Sequence, residues 1–316
     1  MAGITTTSTL TPPVQQSFDY RLLSVKVPNM IHTLPAMRRK MPAHGGDTLR
    51  FRRYNPLDTA MVPLGNTGIT PPPQQLTALN IDAKISWYGT YVILNEQVVL
   101  QAQDPVLNEA CKRLGVSLRQ TEDQLTRDML AASAGFINCV GGVNGQNPSE
   151  ITRPDVDNVI QTLASNDAWT IETLQDGSLK FGSAPIRDAY IALGSTKLIG
   201  QLDNVNGFTP KTAYPNQTTV SQSEYGAISN LRFYLSSIGS FTANASNTGQ
   251  NVYNIFCVGM EAYAVIEQDR ASAAFIYRPP IYDGPLALNA SVGFKTALVP
   301  RITNDQWIQN LRCTLA

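Results

Sequence analysis

The stretch from Asp104 to Ser133 narrows the fold more than any other part of this 316-residue chain. Asp104 suits a helix N-cap, Pro105 suits the first helical position, and Glu109 falls in the early turns. Leu107, Cys111, Leu114, Leu118, Leu125, Met129 and Ala132 then recur at steps of three, four or seven, which places them on one helical face. Such a helix is ~43 Å long at the standard rise per residue. Its other side carries Lys112, Arg113, Arg119, Glu122, Asp123, Arg127 and Asp128, which are read as solvated or ion-paired. Gly115 costs it about 1 kcal/mol relative to Ala. A helix this long with one apolar stripe is a scaffold, and the stripe is expected to be core within its own chain.

Two β-like runs precede it. TLRFRRY (Thr48 to Tyr54) and LNIDAKISWYGTYVIL (Leu79 to Leu94) alternate bulky with polar residues as half-buried strands do. Between them lie prolines 56, 63, 71, 72 and 73, which remove backbone donors and cannot continue a sheet. The expectation is a long two-stranded arm with an irregular tip, laid on something larger because an isolated hairpin is marginal in water. Residues 1 to about 30 are rich in Thr, Ser, Gln and Pro and read as an extended arm, with Tyr20, Leu22, Leu23, Val25 and Val27 apolar enough to dock. After the long helix come a Gly/Asn-rich loop, a helix near Asp155 bearing Val156, Val159, Ile160, Leu163 and Ala164, and a hairpin from Trp169 to Phe181 turning at Asp176-Gly177. Residues 185 to 203 read as helical. LRFYLSS reads as a strand, and the chain from Tyr253 to Cys313 is strand-dominated, ending in a pair, LNASVGFKTALV and QWIQNLRCT. The pattern is mixed α+β.

Chemistry is sparsely provided for. His32 and His44 are the two histidines, and no HExxH, GxSxG, phosphate-loop or dinucleotide pattern occurs. Cys111, Cys139, Cys257 and Cys313 are widely spaced and read as buried reduced thiols. No signal peptide is visible, and the weakly apolar stretch from Met129 to Val143 falls short of the ~20 residues of a membrane span. The expectation is a soluble, non-secreted chain with no cofactor, metal or enzymatic activity. Only 15% of residues are charged, against roughly 25% in most soluble proteins. Arg outnumbers Lys sixteen to eight, which fits surface covered by other protein. Residues 1 to 60 hold eight cations against three anions, a net +5 that the neutral whole balances with −5 elsewhere. Six of those cations are Arg38, Arg39, Lys40, Arg50, Arg52 and Arg53. They suit either phosphates of packaged nucleic acid or acidic residues on an adjacent subunit, and net neutrality favours the second.

The order of parts, together with GDTLRFRRYNPLDTA, ISWYGTYVIL, LNEACKRLGVSLRQTEDQLTRDMLAAS, VYNIFCVGMEAYAVI and DGPLALNASVGFKTALVPRI, resembles the major capsid protein of tailed bacteriophages, whose fold encapsulin shells share. The resemblance runs in order over residues 45 to 316. It implies an amino-terminal arm (1–45), an extended loop (46–94), a peripheral domain with a spine helix (95–184 and 285–316) and an axial domain (185–284). It implies hexamers and pentamers of an icosahedral head around double-stranded DNA contacted non-specifically. The head would be built in the bacterial host cytoplasm with a separate scaffold protein, a portal protein and a decoration protein as partners, and without a membrane. The extended loop would lay Arg50, Phe51, Arg52, Arg53, Tyr54, Trp87 and Tyr88 against a neighbouring subunit, while Arg38, Arg39 and Lys40 face DNA or a subunit. No motif assigns a Lys–Asn crosslink, so a noncovalent shell is expected. The alternative is an encapsulin-like compartment carrying an enzyme cargo.

Overall fold

The structure is a computed structural model and describes residues 27–59, 73–101, 106–133, 135–171, 188–214, 223–269, 274–279 and 288–315. In chain order the elements are β1 (Met37–Met41), β2 (Thr48–Tyr54), β3 (Ala78–Lys84), β4 (Ser86–Asn95), α1 (Glu96–Gln101), α2 (Val106–Ala131), β5 (Phe136–Asn138), α3 (Arg153–Ser165), β6 (Tyr190–Ser195), α4 (Ile199–Asn204), β7 (Phe208–Pro210), β8 (Glu224–Ile228), β9 (Leu231–Ser236), β10 (Phe241–Thr242), β11 (Val252–Val258), β12 (Tyr263–Gln268), β13 (Ala274–Arg278), β14 (Asn289–Ile302) and β15 (Ile308–Thr314).

Three sheets form. In the first, the 14-residue β14 pairs along one edge with β4 and along the other with β13 and β12, and β1 adds to β12 in parallel. The second has eight strands: β5, β15, β11, β6, β9, β8 and β7 in order, with β10 beside β11. The third is the β2–β3 hairpin. The long helix is α2, 26 residues. Leu114 and Leu118 pack with Val292 and Phe294 of β14, burying two positions of the expected stripe. The proposed caps Asp104 and Pro105 lie outside the described residues, as do the Asp176-Gly177 turn and residues 1–26.

Several expectations need correcting. Residues 190–195 form strand, not helix: β6 is buried along its whole length between β9 and β11. A strand covered on both faces is a continuous apolar run, and periodicity cannot separate that from a buried helix. Only the short α4 follows it. The run from Leu79 to Leu94 is two strands, not one. The buried Ile85 divides them, its amide donating to the Asp47 carbonyl at 2.9 Å, after which the chain leaves β2 and pairs with β14. The last two strands are not partners, because β14 belongs to the first sheet and β15 to the second. The sheets likewise do not divide at residues 185 and 285. β12 and β13 from the expected axial stretch join the first sheet, while β5 and β15 from the expected peripheral stretch join the second.

Candidate interaction surfaces

The hairpin lies on one face of the first sheet. Leu49 and Phe51 point inward against a cluster of Met41, Ala83, Ile85, Ile266 and Ala297. Alternation sends Arg50 and Arg52 outward. Arg50 donates from Nε and Nη2 to the two carboxylate oxygens of Asp82, at 2.6 and 2.8 Å, across the paired strand. The pair is exposed on both sides, and Arg50 holds the Asp82 carboxyl below the usual carboxylate range. Arg52 Nε donates to Asn80 Oδ1 at 3.0 Å. Arg53 and Tyr54 are exposed at the outer end of β2.

The seven expected contact residues therefore separate into groups. Phe51 anchors the hairpin on its own chain, Arg50 and Arg52 brace its two strands, and Arg53 and Tyr54 are exposed at its end, on opposite faces of the strand. Trp87 and Tyr88 are not on the hairpin; they belong to β4, opposite Ala297 and Thr296 of β14. Trp87 is 58% exposed, with the Lys295 ammonium 5.9 Å from its ring centroid. Arg38, Arg39 and Lys40 are all exposed on β1, but neighbouring residues of a strand point to opposite faces, so Arg39 stands apart from the other two. Arg38 lies 3.4 Å from Glu267.

The residues that sequence reasoning placed wrongly are on α2. Asp123 was expected on the solvated side, yet it is fully buried. Its Oδ1 accepts from the amides of His32 (2.7 Å) and Thr33 (3.3 Å), and its Oδ2 lies 2.7 Å from His32 Nδ1. The Tyr263 hydroxyl donates to the His32 carbonyl. The chain just before β1 is thus bound to the middle of the long helix. Glu122 beside it lines a cavity of about 530 Å³ with Arg38, Arg119 and residues 27–30. Burial, then the Glu267 charge, holds the Glu122 carboxyl above its ordinary value despite Arg38 and Arg119.

Three of the four cysteines are buried and Cys111 is exposed, so the thiol expectation fails at that one position. The glycine-rich loop before α3 serves that helix. Asp155 Oδ1 accepts from the amides of Val140 (3.1 Å) and Gly142 (2.6 Å), and Oδ2 from the Thr152 amide (3.0 Å). Gly141 and Gly142 adopt positive φ there. A second buried pair ties β8 to β9: Arg232 donates from Nε and Nη2 to Glu224 at 3.0 and 2.8 Å. Among the described residues no three His, Cys, Asp or Glu gather as a metal would require, and no helix is long and apolar enough to cross a membrane.

No family model and no curated protein matches the sequence. Solved structures do match the fold over its full length. The capsid of Ralstonia phage GP4 superposes with a TM-score of 0.70 at 13% identity, covering 99% of each chain. The head structure of Helicobacter pylori bacteriophage KHP40 gives 0.65 at 13%, covering 100% of this chain and 98% of that one. The cyanophage Pam1 capsid gives 0.65 at 13%, covering 99% of each. The chain has the fold of these phage capsid chains.

Proposed function

We propose that this chain is the major capsid protein of a tailed phage, a structural protein that assembles as hexamers and pentamers into an icosahedral head around double-stranded DNA. The observation that carries the reading is the end-to-end likeness to phage capsid chains, covering both large sheets, the long helix and the hairpin. In this reading the hairpin with its Pro-rich tip is the extended loop. The first sheet with α2 is the peripheral unit, and the second sheet with α3 and α4 is the axial unit. Its place is the virion, after assembly in the bacterial host cytoplasm with a separate scaffold protein and a portal, and with a decoration protein where one exists.

The chemistry is repeated association. Arg53, Tyr54 and Trp87 are exposed and suited to a neighbouring subunit; Arg50 and Arg52 act by holding the strand that presents them. Each contact is modest, and many engaged together make a closed shell persistent. The test is imaging of native particles with a nuclease-protection assay. Closed heads protecting double-stranded DNA are expected. Cages holding an enzyme and no DNA would replace this reading with the encapsulin-like one, and a protein that stays monomeric in its native extract would end both.

A further inference from the structure

The cavity of about 530 Å³ beside α2 is bordered by polar groups that the rest of the fold leaves unused. Its lining comes from four places in the chain: residues 27–34, the start of β1, the middle of α2, and Ser223 just before β8. Arg38 of β1 and Arg119 of α2 both border it and both are exposed. Arg38 meets Glu267 through one contact at 3.4 Å, a long pair on a side chain that is 54% exposed. Arg119 forms no ion pair among the described residues. Its guanidinium and the side chains of Asn29, Thr33 and Ser223 make no hydrogen bond there either. Against these donors stands one carboxyl in the lining, that of Glu122.

We propose that this cavity binds a phosphate group, held by the guanidiniums of Arg38 and Arg119 and by the side chains of Asn29, Thr33 and Ser223. A guanidinium presents its N–H groups in a planar fork that matches two oxygens of a tetrahedral oxyanion, and charge-assisted bonds of this kind are about twice as strong as neutral ones. The two forks belong to different elements, β1 and α2, so they approach a bound anion from two sides. The volume falls within the roughly 300–1,000 Å³ of small-molecule sites, which leaves room for whatever body the phosphate is attached to. Two sources carry this chemistry. A phosphorylated small molecule can enter whole, and the backbone of a DNA strand can offer one of its phosphates to the mouth. The inference concerns the single chain and stands apart from the shell reading.

Glu122 sets a condition on that binding. A charged carboxylate repels an oxyanion, whereas the neutral acid donates a hydrogen bond to one. The charged groups around Glu122 are Glu267 of β12, Arg38 of β1, and Arg119 and the buried Asp123 of its own helix, with His32 bound to Asp123 in turn. Burial and Glu267 already hold its proton on above the ordinary carboxylate range. An oxyanion in the cavity adds one more negative charge and strengthens that hold. Anion binding and proton uptake at Glu122 therefore favour each other.

The test uses the full-length unassembled chain, its melting temperature read at fixed ionic strength as chloride is replaced by inorganic phosphate or by sulfate. An anion that binds only the folded state raises the melting temperature saturably, and that is the expected result. Arg38→Ala and Arg119→Ala should each weaken the fitted affinity about tenfold or more, the usual effect of losing a charged hydrogen-bond donor. Arg119→Lys, which keeps the charge without the fork, should fall between. Arg113→Ala, on the same helix but paired with Glu109 and outside this cavity, should bind as the natural chain does. Sulfate also stabilises folded proteins by exclusion from their surface, so a rise that does not saturate and is equal in every variant would overturn the site. Sulfate keeps its charge as the solution is acidified from neutrality, which isolates Glu122. Its affinity should tighten on acidification in the natural chain and scarcely change in Glu122→Gln, which should bind more tightly at neutral pH. A Glu122→Gln chain that binds more weakly, or arginine variants that bind normally, would overturn the proposal. A short duplex without terminal phosphates then separates the sources. Competition with sulfate assigns the DNA backbone as occupant, and an inert duplex beside competing phosphate assigns a free phosphorylated molecule. Either result supports the phosphate site. No particle need form in any of these measurements, so a failure here leaves the shell reading standing.

Discussion

At the scale of single residues the most consequential group is Asp123. Its carboxylate sits in the core and receives two amides and the His32 ring, so removing it leaves several buried polar groups without an acceptor. Stranded buried donors cost about 1–3 kcal/mol each, and breaking a buried polar or ionic cluster typically costs several. Asp123→Ala is therefore expected to destabilise the chain by about 3 kcal/mol in urea denaturation, and Asp123→Asn by less, since the amide keeps one acceptor. A loss below about 1 kcal/mol would mean that the segment before β1 is held mainly by apolar contacts. The neighbouring Glu122 makes a pH prediction with a definite sign. Burial and Glu267 raise its pKa in the folded state, so the folded chain keeps that proton longer than the unfolded one. Stability then declines as pH rises from the ordinary carboxylate range through the raised value. Glu122→Gln should melt higher than the natural chain at neutral pH, the gap closing as the solution is acidified towards the ordinary carboxylate pKa. A gap that widens in acid would show that the attraction of Arg38 and Arg119 outweighs the burial.

At the scale of elements, the contact between β4 and β14 depends on close backbone approach. A Cβ built on Gly293 would meet the Tyr91 Cβ at 2.7 Å and the Thr90 carbonyl at 2.9 Å, so the two strands must part to admit it. Gly293→Ala is expected to cost about 1–3 kcal/mol, as overpacking usually does, and to speed hydrogen exchange along residues 86–95 more than in β15. Uniform exchange across both strands would contradict a local effect. How legible each element was follows from how its burial is patterned. α2 was readable because Leu114 and Leu118 are apolar at helical spacing, and the hairpin because β2 and β3 are half-exposed and alternate. The second half of α2 was not readable: its buried positions Asp123, Thr126 and Leu130 are mostly polar, and only a partner 91 residues away in sequence explains why Asp123 turns inward. β6 was hidden by complete burial. The break at Ile85 was hidden because this single residue between the strands, apolar like Ile81 and Ala83 before it, continues the alternation unbroken. Among the candidate contacts, arginine content singles out β2. The Arg50–Asp82 pairing needed the hairpin register, which spacing alone does not supply.

At the scale of the whole molecule, a chain with 15% charged residues also exposes Tyr54, Trp87, Tyr91, Ile93, Phe275 and Tyr277 on or beside the first sheet. Apolar surface concentrated in this way is a mark of interaction sites in soluble proteins. The hairpin arginines give the sharpest assembly prediction, because the structure assigns them unequal duties. Changing Arg50, Arg52 and Arg53 to Ala together should abolish normal particles. The single changes should then rank. Arg50→Ala loses the two-point bond to Asp82, so it loosens the hairpin itself and slows assembly by misplacing the outward residues. That pair is solvent-exposed, so folding stability should scarcely move. Arg53→Ala leaves the hairpin as it is and removes an outward charge, so its defect should appear only between subunits and should be mimicked in the natural chain by raising salt, which screens exposed charge pairs. Particle yield by electron microscopy, read beside the melting temperature of the unassembled chain, separates the two. Full yield from the triple variant would remove the hairpin arginines from the interface. On the shell reading, with noncovalent contacts expected, particles boiled in detergent should run as a single 34.4 kDa band. A ladder of multimers would instead mean that side-chain crosslinks, not the summed weak contacts, hold the shell closed.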